Sequence, residues 1–362
     1  MALIRRPAVG SLLSFVLLLC GFSLLPQFAF AQGSPRNLQI GIDPRSNLTG
    51  ETEESRQKIL EGIHSLGATW VRDGFAKSPH GVSDLVDVVR RAKQSNLRFI
   101  LQVVQVDGDY DVPLQRNRCG WLAKPLGQIN LTKYTNRLRA QLDVLKAANL
   151  TVDAFEIGNE DDTDCYNADI PTGRAATAED LKNAARGYGR FLMASAEVIH
   201  DPKYYPLAKL ITFGMAHGGN PSNSLQEPAQ FVAMLRNVDG VNYLDNDKYH
   251  VDGIGTHIYA SPSDITGSVT KTLQADAAAI GTSKPFWLTE WGFLNYKSFP
   301  TKKGESLSEG ISEYLATVDS VHRHIPLGPI CFYSYSVWLV DESGNPLPQA
   351  EVLAKRAWAD AR

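Results

Sequence analysis

Phe155-Glu156-Ile157-Gly158-Asn159-Glu160 closes a short apolar run near 152–159, and a long amphipathic pattern over 177–200 follows it. The run is strand-like in length and composition, whereas the second stretch repeats its apolar residues at helical spacing. The same unit recurs along the chain. Strands are predicted near 37–43, 68–73, 98–104, 152–159, 208–214, 251–258, 285–290 and 329–336. Amphipathic helices are predicted near 52–66, 83–95, 131–148, 177–200, 227–236, 268–280, 306–324 and 347–360, with no Pro/Gly/Ser-rich linker between units. Eight strand–helix units whose strands are apolar on both faces predict an α/β fold, a (β/α)8 TIM barrel in one domain over 32–362. A doubly wound open sheet would need a Gly-rich phosphate turn after the first strand. Gly41-Ile42-Asp43-Pro44-Arg45-Ser46 does not provide one, and no P-loop is present.

The chain of 362 residues carries 36 Lys+Arg against 39 Asp+Glu, and its 43% hydrophobic content is that of a globular protein. No basic cluster longer than a pair occurs beyond the N-terminus, so nucleic acid is not an expected partner. Arg5 and Arg6 precede an apolar run from Leu12 to Leu25 that ends in Ala29-Phe30-Ala31, which reads as a signal peptide cleaved after Ala31. The expectation is a secreted or periplasmic protein without a membrane span. In such a compartment Cys119 and Cys165, both in polar loop sequence, can bridge or stay reduced, while Cys331 in an apolar run reads as a buried thiol. No His stands at zinc-ligand spacing from any of them.

In a barrel of this kind the chemistry sits at the C-terminal ends of the strands. The polar residues there are Asp43, Arg72, Asp73, Gln102, Gln105, Asn159, Glu160, His217, His257, Tyr259 and Glu290, with Trp338 taken to end the eighth strand. Glu160 and Glu290 each follow apolar residues, and Glu290 stands among Trp287, Trp291 and Phe293, where an unpartnered carboxylate is costly to bury. Two carboxyl groups across a cleft suit hydrolysis of an acetal: one protonates the leaving oxygen, and the other attacks the anomeric carbon or activates water. Glu156 lies about 13 Å down the strand from Glu160 at roughly 3.3 Å per residue, which places it inside the barrel with a partner.

Arg72 can hold an attacking carboxylate ionised, or pair with Asp43 or Asp73. His257 and Tyr259 are two apart and share a strand face. Tyr110, Trp121, Tyr166, Trp291, Tyr335 and Trp338 are candidates for stacking on sugar rings, or for packing. Asp161-Asp162-Thr163-Asp164 lacks the spacing and Gly of an EF-hand and reads as a solvated loop. The stretch from Val104 to Asn130 is the longest before a helix and is expected to shape the cleft.

These residues resemble clan A of the glycoside hydrolases, retaining glycosidases on an eight-fold barrel, and among them most closely the family-five cellulase and mannanase group. The resemblance rests on Arg72 of strand two, Asn159-Glu160 of strand four, His257-x-Tyr259 of strand six, Glu290 of strand seven and Trp338 of strand eight. It implies Glu160 as acid/base, Glu290 as nucleophile and Asn159 as the group that bonds the sugar 2-hydroxyl. The sequence departs from the family at two places: Gln102 and Gln105 stand where a strand-three His is usual, and Asp161 where a Pro usually follows Asn-Glu. The expected protein is an exported retaining β-glycosidase acting as a monomer on a polysaccharide or oligosaccharide, with no metal and no cofactor. A carbohydrate-binding barrel without turnover, or a transglycosylase, are the alternatives.

Overall fold

The computed structural model describes residues 38–45, 48–74, 81–217, 228–294 and 306–360; the leader read over 1–31 lies outside them. Strands form at the apolar runs: β1 (Ile40–Asp43), β2 (Trp70–Gly74), β3 (Arg98–Val103), β4 (Ala154–Ile157), β5 (Lys209–Thr212), β6 (Met215–His217), β7 (Val251–Ala260), β8 (Phe286–Phe293) and β9 (Leu327–Tyr333). Neighbours pair in the order β5-β4-β3-β2-β1-β9-β8-β7-β6, all parallel, and β5 also pairs with β7. β5 and β6 are therefore two parts of one barrel strand, interrupted at Phe213-Gly214, and the sheet closes on itself as the expected eight-stranded barrel.

Helices α1 (Glu53–Ser65), α2 (Gly81–Gln94), α3 (Leu131–Ala147), α4 (Ala178–Ile199), α5 (Pro228–Met234), α6 (Ile265–Ile280), α7 (Leu307–His322) and α9 (Pro348–Asp360) accompany the strands, with the four-residue α8 (Tyr335–Trp338) after β9. Local chemistry sets several starts. The side chains of Thr52, Asn130, Thr177, Asp264 and Ser306 accept from backbone N–H groups in the first turns, and Asp180 and Glu309 complete capping boxes. Asp264 starts α6 ahead of the 268–280 periodicity because its carboxylate takes the Gly267 N–H at 3.0 Å. No helix among the described residues is long and apolar enough to cross a membrane.

Side-chain alternation along the strands divides the buried residues between two regions. One face packs under the helices; the other fills the barrel with Trp70, Ile100, Ala154, Ile211, Trp287 and Cys331. Trp70 and Trp287 meet edge to face there at 5.4 Å. Two residues further along the same strands stand Arg72, Gln102, Glu156, Thr289 and Tyr333. The strand period of two thus sets a polar layer directly above an apolar plug, at the end of the barrel where the strands terminate.

Two expectations about these ends are corrected. The run 329–336 is not strand throughout: β9 stops at Tyr333, and the chain turns helical, with Trp338 N donating to Ser334 O at 3.3 Å and Leu339 N to Tyr335 O at 3.0 Å. Trp338 consequently sits on α8, part-buried against the core, and Tyr333 ends the strand. The acidic run Asp161-Asp162-Thr163-Asp164 is buried rather than solvated, each residue being at most 4% exposed. Two of its carboxylates have partners that the local sequence does not reveal. Arg118 grips Asp164 through two bonds of 2.7 Å, and Asp162 accepts from Ala216 N at 3.1 Å.

Candidate active site

Arg72 is fully buried in the polar layer, and its guanidinium organises the site. Its Nε donates to Glu156 Oε2 at 2.5 Å, Nη1 to Asp43 Oδ2 at 2.5 Å and to Glu290 Oε1 at 2.7 Å, and Nη2 to Asn159 Oδ1 at 3.2 Å. Of the two partners considered for it, Asp43 is bonded, while Asp73 turns its Oδ1 to Gly74 N and Leu48 N. Burial disfavours the charged guanidinium, but Glu156, Glu290 and Asp43 outweigh that and raise its pKa further above the ordinary value. Burial likewise pushes Glu156 up, yet Arg72 and His257 more than offset it, so its carboxyl stays below the usual range. Glu156 also accepts from Thr289 Oγ1 at 2.6 Å, which completes the internal pairing expected of it.

A register shift delivers Glu290. β7 and β8 pair Thr256 with Leu288 and then His257 with Glu290, so two residues of β8 advance against one of β7. Such a bulge re-aims side chains, and here Thr289 and Glu290 both reach the polar layer. Glu290 Oε1 takes the Arg72 bond and Oε2 accepts from Tyr259 OH at 2.5 Å. Both oxygens of this carboxylate are anchored.

Glu160 is delivered by strain and by the gap in the fifth strand. Its backbone lies in the left-handed region at φ 48°, which is unfavourable for a residue with a side chain and persists only where the surroundings impose it. Glu160 N donates to Gly214 O at 3.2 Å, in the break between β5 and β6, and Thr163 N and Oγ1 both donate to Glu160 O at 2.9 Å. Gly158, at φ 94°, makes the turn possible, since a Cβ there would stand 1.8 Å from Asp161 Oδ2. The Glu160 side chain bonds His257 Nδ1 through Oε1 at 3.0 Å, and among the described residues Oε2 accepts no hydrogen bond.

His257 is fully buried between three carboxylates, with Nδ1 also 3.7 Å from Glu290 Oε2 and Nε2 3.7 Å from Glu156 Oε1. Burial lowers the pKa of an imidazole, but Glu290, Glu156 and Glu160 together raise this one to about 10. Glu160, His257 and Glu290 each bring one donor atom within 4.8 Å of the others, and among the described residues they form the group that could hold a metal ion.

Asn159 Oδ1 accepts from both Arg72 Nη2 and Gln102 Nε2, the latter at 2.6 Å. With its oxygen taken twice, the amide presents its nitrogen as a donor. Gln102, which the sequence places at the strand end without a role, fixes that orientation. Arg72, Asn159, Glu160, His257, Tyr259 and Glu290 thus form one cluster of hydrogen bonds and close ion pairs, and Trp338 lies beyond the strand end, on α8. The aromatic at the strand end is Tyr333, whose ring meets that of Tyr259 at 6.1 Å and whose hydroxyl is raised by burial and by the charge of Glu290. An apolar run continuing to Trp338 conceals Tyr333 in the sequence. Of the other aromatic candidates, Trp291 stacks on Tyr314 at 4.3 Å, and Tyr110 and Tyr335 are buried.

No protein-family model and no curated protein matches the chain. Solved structures do. A GH5-4 broad specificity endoglucanase from an uncultured bacterium matches at 14% identity and TM-score 0.62, over 89% of this chain and 94% of its own. A GH5_18 protein from Streptomyces cattleya in complex with GlcNAc matches at 13% identity and TM-score 0.59, over 91% and 81%. An endo-β-1,4-mannanase from Thermotoga petrophila matches at 13% identity and TM-score 0.56, over 90% and 77%. The chain has the fold of these family-five glycoside hydrolases.

Proposed function

We propose that the protein is an exported retaining β-glycosidase that cleaves a polysaccharide or oligosaccharide by double displacement. The observation that carries the proposal is the asymmetry of two carboxylates sharing one mouth. Glu290 has both oxygens fixed, one by a cation and one by a hydroxyl, as a nucleophile that must be ionised and aimed requires. Glu160 has one oxygen on His257 and the other open, as a group that must give up and recover a proton requires. An oxygen of each lies within 4.8 Å of the other, so both carboxylates are close enough to act on one glycosidic bond.

In the first step Glu290 attacks the anomeric carbon while the glycosidic C–O bond breaks and Glu160 protonates the departing oxygen. In the second, Glu160 takes a proton from water, the water oxygen attacks the same carbon, and the bond to Glu290 breaks. Asn159, whose oxygen is already taken by Arg72 and Gln102, would bind the 2-hydroxyl through its amide nitrogen. The fold shared with an endoglucanase and a mannanase supports the substrate class. The Cys119–Cys165 disulfide supports export, because such bridges persist in oxidising compartments.

The test is hydrolysis of glucans, mannans, xylans and 4-nitrophenyl β-glycosides by the parent and by Glu290→Ala. The parent is expected to release product with retained anomeric configuration, and the variant to fold while losing roughly three or more orders of magnitude in kcat. Inverted product, or near-parental activity in the variant, would refute the assignment.

A further inference from the structure

The loop 115–123 is built more firmly than an exposed connection needs to be. Arg116 and Leu122 pair as an antiparallel bridge, Ala123 N donates to Gln115 O at 2.7 Å, and Asn117 N donates to Trp121 O at 2.7 Å. The Asn117 side chain caps the turn, its Oδ1 accepting from Cys119 N at 3.0 Å and Trp121 N at 3.2 Å. Three further links tie this hairpin to the segment that carries Glu160. They are the Cys119–Cys165 disulfide, the bidentate Arg118–Asp164 pair, and a bond of 2.8 Å from Asn117 Nδ2 to Cys165 O.

Trp121 stands near the tip of this hairpin. It is 47% exposed, and its ring meets that of Tyr166 at 4.8 Å with a tilt of 46°. The exposed half of the indole gains nothing for folding, yet it is presented on a braced hairpin. Tyr166 connects it to the chemistry: Gln105, beyond the end of β3, donates to Tyr166 O at 3.4 Å. Burial, then the charges of Glu160 and Glu290, push the Tyr166 hydroxyl above its ordinary range, and the residue lies six positions beyond Glu160 in the same segment.

We propose that Trp121 and Tyr166 form a stacking subsite for a sugar ring beyond the one being cleaved, and that the Cys119–Cys165 bridge clamps this platform to the Glu160 segment. The inference rests on the glycosidase reading and adds to it a preference for β-linked oligosaccharides over short glycosides. An aromatic face gives a pyranose ring apolar contact in a polar cleft, and a platform already immobilised loses little entropy when the sugar arrives.

The experiment compares kcat/KM on cellohexaose, mannohexaose and xylohexaose with kcat/KM on the 4-nitrophenyl β-glycosides of the same sugars. For the best-cleaved hexasaccharide, Trp121→Ala is expected to lower the hexasaccharide-to-aryl ratio about tenfold, mainly through KM, and Trp121→Phe to keep most of it. Cys119→Ser combined with Cys165→Ser should lower the ratio in the same direction, since an unclamped platform must be ordered on binding. An unchanged ratio in Trp121→Ala, or turnover of aryl glycosides with none of the hexasaccharides cleaved, overturns the subsite while leaving the glycosidase reading intact. No turnover of any of these substrates by the parent overturns both.

Discussion

The hydroxyl of Tyr259 donates to Glu290 Oε2 at 2.5 Å, on the oxygen opposite the one held by Arg72. β7 provides this donor two residues beyond His257, so one strand face serves both carboxylates: His257 on Glu160 and Tyr259 on Glu290. A hydrogen bond to a charged group contributes about 1.5–3 kcal/mol. Tyr259→Phe is therefore expected to lower kcat/KM on a 4-nitrophenyl glycoside by roughly 10- to 100-fold. Parental kcat/KM in this variant would mean that the bond only packs the strand end.

In the proposed mechanism Glu160 acts on the leaving oxygen, so its importance there depends on how badly that oxygen needs a proton. A nitrophenolate departs without help, whereas a sugar alkoxide does not. Glu160→Ala should thus cut kcat/KM by about two or more orders of magnitude further on an oligosaccharide than on a 4-nitrophenyl glycoside of the same sugar. Equal losses on both substrates would remove Glu160 from the acid role.

Much of this arrangement is legible in the sequence, because side-chain period distinguishes strand from helix and strand ends locate the mouth of a barrel. Glu160 and Glu290 are found in this way, as is the internal pairing of Glu156. What periodicity does not report is register and termination. The break at Phe213-Gly214, the extra residue at Thr289 and the turn from β9 into α8 each leave the apolar pattern intact while changing where side chains point. The same limit hid Tyr333 behind Trp338. The buried run Asp161–Asp164 shows the complementary limit, since its partners Arg118 and Ala216 are 46 and 54 residues away, and no local signal announces them.

Gly214 is where the break in the fifth strand meets the Glu160–His257–Glu290 cluster. Its carbonyl accepts the Glu160 N–H, and a Cβ on it would lie 2.0 Å from His257 Nε2. That contact is not relieved by a flexible chain end, because the imidazole is walled in by Glu156, Glu160 and Glu290. Gly214→Ala is expected to cost about 1–3 kcal/mol of stability by overpacking and to displace the His257–Glu160 bond. Chemical denaturation and kcat/KM on a 4-nitrophenyl glycoside would both register it; a variant parental in both would mean that the ring has somewhere else to go.

Asp73 gives the stability of the barrel a dependence on pH. Burial, helped by the charge of Asp43, pushes its carboxyl up to about 7, against the N–H bonds from Gly74 and Leu48 that favour ionisation. The folded state therefore retains a proton that the unfolded chain releases near the ordinary aspartate value of about 3.9. The stabilisation is complete below that value and diminishes as pH rises through about 7, where the buried carboxylate must ionise. Asn resembles the protonated acid at every pH. Relative to the parent, the melting temperature of Asp73→Asn should accordingly improve steadily between about pH 4 and pH 8 and level off above that range. A difference between the two proteins that stays constant across the range would show that Asp73 is ionised throughout, and that the barrel supports a charged carboxylate at this position.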